Sequence, residues 1–106
     1  MGCEKLRRRS AKLSSLERNR YSVFTDNLDY CYFCGKPRTD LHEIIYGSNR
    51  LNSMKWGYVL PLCRSHHDSF HKNHVLTREW AAKCQDHFES IYCHQDWLDT
   101  FHKNYK

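Results

Sequence analysis

The sequence predicts a small α+β domain. Two short strands and the helix directly after them form a core braced at paired cysteine and histidine positions, with further helices before and after it. Three observations predict this. Cys31-x2-Cys34 and Cys63-x2-His66 are two ligand pairs of matching internal spacing. "DLHEII" at 40–45 alternates as a half-buried strand does, and "YVLPLC" at 58–63 is a second apolar run of strand length. "RSHHDSFHK" follows that run at once and continues as a helix carrying His66, His67 and His71.

The bulk numbers set the frame. A chain of 106 residues, 14% aromatic and 27% charged, makes one domain with a modest core, of the size that commonly adds a metal staple. Its longest uncharged apolar run, "WGYVLPLC", is far too short to span a bilayer, and no secretion signal opens the chain, so the expected address is the cytoplasm. The opening "MGC" lacks the Ser or Thr at position 6 that acylation requires; Leu6 stands there. Six cysteines in such a chain point to metal rather than disulfides, and Cys3, Cys84 and Cys93, lacking partner spacing, read as reduced and partly buried.

Taken in order, residues 4–24 read as a helix, with Leu6, Leu13, Leu16 and Phe24 among charges and no Gly or Pro. The first twenty residues hold seven basic side chains against two acidic ones, and the remainder cancels, so the whole formal net charge of +5 sits on this arm. The "CYFCG" knuckle and the first strand come next. "YGSNRLNSMKWG" at 46–57, with its Gly, Ser and Asn, reads as a loop. Pro61 marks the second strand as an edge or an end. A final long helix is expected over 77–92, capped by Thr77 with Glu79 one place early for a full capping box. Trp80, Cys84, Phe88 and Ile91 give it a core stripe, and Trp97, Leu98 and Phe101 read as core in the tail. The organisation is a basic arm at 1–25, a braced core at 26–75 and packing helices at 76–106.

Six ligand candidates exceed one closed tetrahedral site. Cys31, Cys34, Cys63 and His66 suffice for a structural Zn2+. His66 and His67 stand about 100 degrees apart around a helix axis and cannot easily serve one ion. His67 and His71, one turn apart on one face, can hold a second divalent cation. His42, on the strand expected to pack against them, adds a third imidazole, with Asp40 and Glu43 nearby.

The combined pattern C-x2-C…DLHEI…G…LC-x2-HH-x3-H resembles the HNH endonucleases of the His-Me finger, or ββα-metal, superfamily. It is most similar to small zinc-braced phage and prophage members, closely over 31–71. The resemblance implies a treble-clef-like ββα-metal core and a metal-dependent endonuclease acting on DNA. It implies a catalytic Mg2+ or Mn2+ (Zn2+ or Ni2+ in a crystal) at His67 and His71, with His42 as a further ligand and the next residue as the base. The chain departs from the family at two positions: Glu43 replaces the usual second histidine, and Tyr58 occupies the place of the usual Asn, while Asn49 and Asn52 lie in the loop. The base is then Glu43, or His42 itself with the ion on His67, His71 and a carboxylate such as Asp40. Strand alternation sends 42 and 43 to opposite faces unless a bulge intervenes.

DNA is the expected partner, gripped without base reading by Arg7, Arg8, Arg9 and Lys12 of the arm and by Arg50, Lys55 and Arg64 near the site. Little sequence preference and no membrane association are expected. The alternatives are a non-catalytic zinc-stabilised DNA-binding accessory working with phage or host recombination or replication proteins, and a protein-interaction module built on the aromatic C-terminal helices.

Overall fold

The computed structural model describes residues 15–106. Strand β1 (Asp40–Glu43) is followed by a 3-10 turn (Gly47–Asn49) and a short helix α1 (Arg50–Lys55). Then come strand β2 (Val59–Leu62), helix α2 (Arg64–Lys72), helix α3 (His74–Glu89) and helix α4 (His94–Phe101). The strands pair antiparallel, Asp40 opposite Leu62 and His42 opposite Leu60. Pro61 fits because, in a two-stranded sheet, both strands are edges. It is a small α+β unit, as the sequence predicts.

Three local expectations are corrected. Of the long N-terminal helix, 4–14 lie outside the described residues; residues 15–18 are helical and the chain leaves the helix at Asn19, whose side-chain amide donates to the Ser15 carbonyl (2.9 Å). The segment 46–57 is largely helical, not a loop. Arg50, Leu51, Met54 and Lys55 are good helix formers, and Gly47 and Gly57 confine the turns to its two ends. The last long helix starts at His74, three residues early, because Asn73 rather than Thr77 caps it by accepting from the Leu76 N–H (3.0 Å). Thr77 instead donates to the Phe70 carbonyl (2.8 Å), tying α3 to α2. Since α3 ends at Glu89, Ile91 falls outside the stripe and is exposed.

The core gathers Ile44, Tyr58, Leu60 and Leu62 from the strands and their ends, Phe70 from α2, Trp80, Cys84 and Phe88 from α3, and Trp97 and Phe101 from α4. Trp97 and Phe101, four apart, stack with ring centroids 4.2 Å apart. Each buried aromatic contributes on the order of 2 kcal/mol by removing apolar surface from water. Helix α1 works as a clasp. Its Ser53 hydroxyl accepts from Ile45 N–H (3.1 Å) and donates to the Tyr58 carbonyl (2.7 Å), joining the ends of the strands. Asn49 and Asn52 donate from their side-chain amides to the carbonyls of Phe101 (2.8 Å) and Thr100 (3.0 Å), closing the end of α4 against the clasp.

Gly57 is where the N-terminal segment docks. Its φ is +76°, and an added Cβ would lie 2.4 Å from the Tyr21 ring, whose hydroxyl donates to the Lys55 carbonyl. Gly47 has a similar φ of +73° but open space around it. Gly47→Ala should therefore cost only backbone strain, about 1–3 kcal/mol, whereas Gly57→Ala should cost distinctly more because Tyr21 must leave. Urea midpoints of the two variants measure the difference; equal losses would remove the docking role.

Candidate metal centres

The first centre begins with backbone turns. Gly35, at φ +72°, donates its N–H to the Cys31 carbonyl (3.0 Å), and Cys31 N–H bonds the Lys36 carbonyl (2.7 Å). That left-handed residue lets Cys31 and Cys34 face one point. Cys63 stands at the N-cap of α2, and His66 lies in the first turn of that helix. The ligand atoms of Cys31, Cys34, Cys63 and His66 all lie within 4.8 Å of one another. His66 Nδ1 is 3.2 Å from Cys63 Sγ and 3.4 Å from Cys31 Sγ, and the Cys34 and Cys63 sulfurs are 3.7 Å apart. Zinc–sulfur bonds of about 2.3 Å and zinc–nitrogen bonds of about 2.0 Å imply tetrahedral edges of about 3.8 Å and about 3.5 Å. These three edges lie within a few tenths of an ångström of those values, and the four residues could bind a metal such as zinc.

The electrostatics prepare two of the three thiols, while at Cys34 the lowering by the Lys36 backbone N–H is outweighed by burial and the neighbouring Cys31 and Cys63 thiols, which push it up. Burial pushes the Cys31 thiol up, but backbone N–H groups of Cys63, Cys34 and Phe33 outweigh it and bring it down to about 6. The His66 backbone N–H lowers the Cys63 thiol in the same sense. Of the other cysteines among the described residues, Cys84 is fully buried in the core and Cys93 is exposed.

His67, next along α2, faces the other way. Its Nε2 lies 3.2 Å from His71 Nε2, and its Nδ1 lies 3.2 Å from Asp40 Oδ2. The His42 ring, on β1, is 5.3 Å from that of His67 and 6.1 Å from that of His71, centroid to centroid. Phe70 packs against His42 at 4.7 Å and against Phe33 beside His66, forming an apolar partition between the two histidine directions. His42, His67 and His71 line one cavity of about 290 Å3, together with Glu43, Tyr46, Phe70, His74 and Thr77.

Unmet polar chemistry is concentrated in this cavity and at Asp40 beside it. Among the described residues, three buried side-chain polar atoms have no hydrogen-bond partner: Asp40 Oδ2, His67 Nδ1 and His42 Nε2. All three belong to this cluster, and the Asp40–His67 approach lacks hydrogen-bond alignment. Unmet buried groups are costly, and their convergence points to a ligand. The donors are not gathered as tightly as in the first centre, which among the described residues is the one group of three or more Cys, His, Asp or Glu ligand atoms within 4.8 Å.

Burial pushes the His42 ring down to about 4, with repulsion from His67 and His71 adding to it. An unfolded chain takes up this proton near 6.5. Above that pH the ring is neutral in both states. Between 6.5 and 4 only the unfolded chain is protonated, so stability is lost on acidification, by about 3 kcal/mol in all. The stability difference between wild type and His42→Gln, followed by urea denaturation, should shift by that amount in favour of the variant across this window. A constant difference would contradict it.

The adjacent carboxylate, Glu43, borders the same cavity but is bound by two arginines. Glu43 accepts from Arg20 (2.7 Å) and Arg50 (3.3 Å), and Arg50 also pairs with Glu17. No bulge interrupts the register, so alternation separates the His42 and Glu43 side chains. Arg50 is thereby committed to carboxylates, Lys55 extends over the Trp56 ring, and Arg64 is exposed at the start of α2. Tyr58 is buried, with its hydroxyl 3.2 Å from His87 Nδ1; Asn49 and Asn52 serve the clasp. Arg7, Arg8, Arg9 and Lys12 lie outside the described residues. Sequence reasoning placed Arg20 among the arm's cations and missed its ion pair, since the partners are 23 residues apart with no local signal. His74 was also missed, although it stands one turn beyond His71. No helix among the described residues is long and apolar enough to cross a membrane.

A family model described as "Protein of unknown function (DUF968)" matches residues 6–98. No curated protein and no solved structure matches the chain.

Proposed function

Because the chain belongs to the DUF968 family, whose description leaves its activity open, we propose the activity from the site itself: a metal-dependent endonuclease that hydrolyses DNA phosphodiesters on an HNH-type ββα core. The observation that carries this reading is the pair His67 Nε2 and His71 Nε2, 3.2 Å apart, beside the orphaned His42 Nε2 in a cavity lined by four histidines. A divalent cation would fit between His67 Nε2 and His71 Nε2. Metal–nitrogen bonds of about 2.1 Å imply nitrogen–nitrogen edges of about 3.0 Å in an octahedron and about 3.4 Å in a tetrahedron, which bracket the 3.2 Å between His67 and His71.

When bound, the ion supplies charge stabilisation at the scissile phosphate and leaving oxygen. His67 Nε2 and His71 Nε2 hold it. The Asp40 carboxylate, 3.2 Å from His67 Nδ1, favours a proton on that nitrogen by its charge and leaves Nε2 free; a small rotation of either side chain would complete the carboxylate–histidine pair common around metals. His42 Nε2 accepts the proton of the attacking water. Its depressed pKa keeps it unprotonated and ready, and a substrate phosphate nearby restores basicity by favouring the imidazolium. Glu43, anchored by Arg20 and Arg50, positions β1 rather than taking the proton. Phe70 walls the site from the first centre. The basic arm and Arg64 hold the backbone without reading bases. The first centre carries a structural zinc.

Supercoiled plasmid incubated with the protein and Mn2+ or Mg2+ should be converted to nicked circles, and EDTA should prevent it. Plasmid left intact with Mn2+, Mg2+, Ni2+ and Zn2+ alike would remove the reading.

A further inference from the structure

A second cavity, of about 340 Å3, adjoins the histidine cluster and shares Tyr46, His74 and Thr77 with it as common walls. Its outer side carries Arg78 and Lys103, with Tyr105 beneath, and no carboxylate lines it. Among the described residues neither Arg78 nor Lys103 enters an ion pair, although both are exposed. Tyr46 presents 61% of its surface to solvent between the two cavities, which leaves its ring open to stacking. Lys103 lies over the Tyr105 ring, 5.3 Å from its centroid, so both cations keep their charge free of any carboxylate among the described residues. Such cations beside an exposed ring are the elements with which proteins hold unstacked nucleotides: charge for the phosphate, an aromatic face for the base.

Resting on the endonuclease reading, we propose that this cavity takes an unpaired nucleotide adjoining the phosphodiester held at His42, His67 and His71. The base stacks on Tyr46, and its phosphate meets Arg78 and Lys103. The volume lies at the lower end of the range of about 300–1,000 Å3 found for small-ligand pockets, which suits one nucleotide and excludes a duplex. The preferred substrate is therefore nucleic acid single-stranded next to the cut: an open strand, a gap or a flap.

The test is binding of the zinc-loaded protein, without added Mn2+ or Mg2+, to fluorescent oligonucleotides read by anisotropy: a single strand, a gapped duplex and a blunt duplex of equal length. The wild type should bind the first two more tightly than the third. Tyr46→Ala with Arg78→Ala should weaken single-strand and gap binding about tenfold or more while changing blunt-duplex binding less than twofold, and Tyr46→Phe with native Arg78 should bind as the wild type does. Both side chains are exposed, so circular dichroism and zinc content should be unchanged. Equal weakening on all three probes, or none, overturns the proposal. The plasmid assay separates the two readings. An intact plasmid with selective loss in the variant retains the nucleotide site without the nuclease. Nicking without selective loss retains the nuclease without this site.

Discussion

Cys63→Ser is expected to abolish cooperative folding. Its thiol is one corner of the tetrahedron that fastens the Cys31–Cys34 turn to the start of α2. Structural zinc sites contribute about 10–16 kcal/mol of binding free energy in small domains, against a total stability of about 5–15 kcal/mol, so losing the ion removes more than the fold holds in reserve. Mass spectrometry under native conditions should find one zinc on the wild type and none on the variant, and its thermal transition should broaden or vanish. Cys93→Ser, at an exposed position, should leave both unchanged. A Cys63→Ser protein that melts like the wild type with one zinc bound would refute the structural assignment.

His67→Ala should have the opposite profile to its neighbour. The His67 imidazole faces Asp40 and His71, not the thiols, so the variant should keep its zinc and its melting temperature. Cleavage with Mn2+ should fall by at least about a hundredfold, since changes even to groups that merely orient metal ligands cost about 10–100-fold. Asp40→Asn, removing only the orienting charge, should fall within that smaller range. His66→Ala should lose zinc and fold together. If His67→Ala nicked plasmid at the wild-type rate, the catalytic ion would have to be sought elsewhere.

The legible part of this molecule was periodic or paired. Two Cys/His spacings located the tetrahedral cluster, because a knuckle is a local structure whose geometry depends on residues three apart. Alternation located the first strand, an apolar run of strand length the second, and the helix after β2 followed from continuity. The divergence of His66 and His67 was also readable, since helical rotation is set by position alone. What escaped was decided by distant partners. The 46–57 segment reads as a loop because its Asn and Ser residues favour turns, yet their side chains bond the end of α4 and the ends of both strands and so stabilise a helix there. Thr77 resembled a cap until Asn73 proved to hold that position. Glu43 could not be distinguished from a free carboxylate without knowing where Arg20 lies.

One peptide bond separates the residue that braces the scaffold from the residue that meets the cavity. No hinge can come between them, so any twist of the helix carrying both would displace two sets of ligand atoms at once. On the proposed reading, adaptation of the cavity would have to come from the walls around that helix rather than from its rotation.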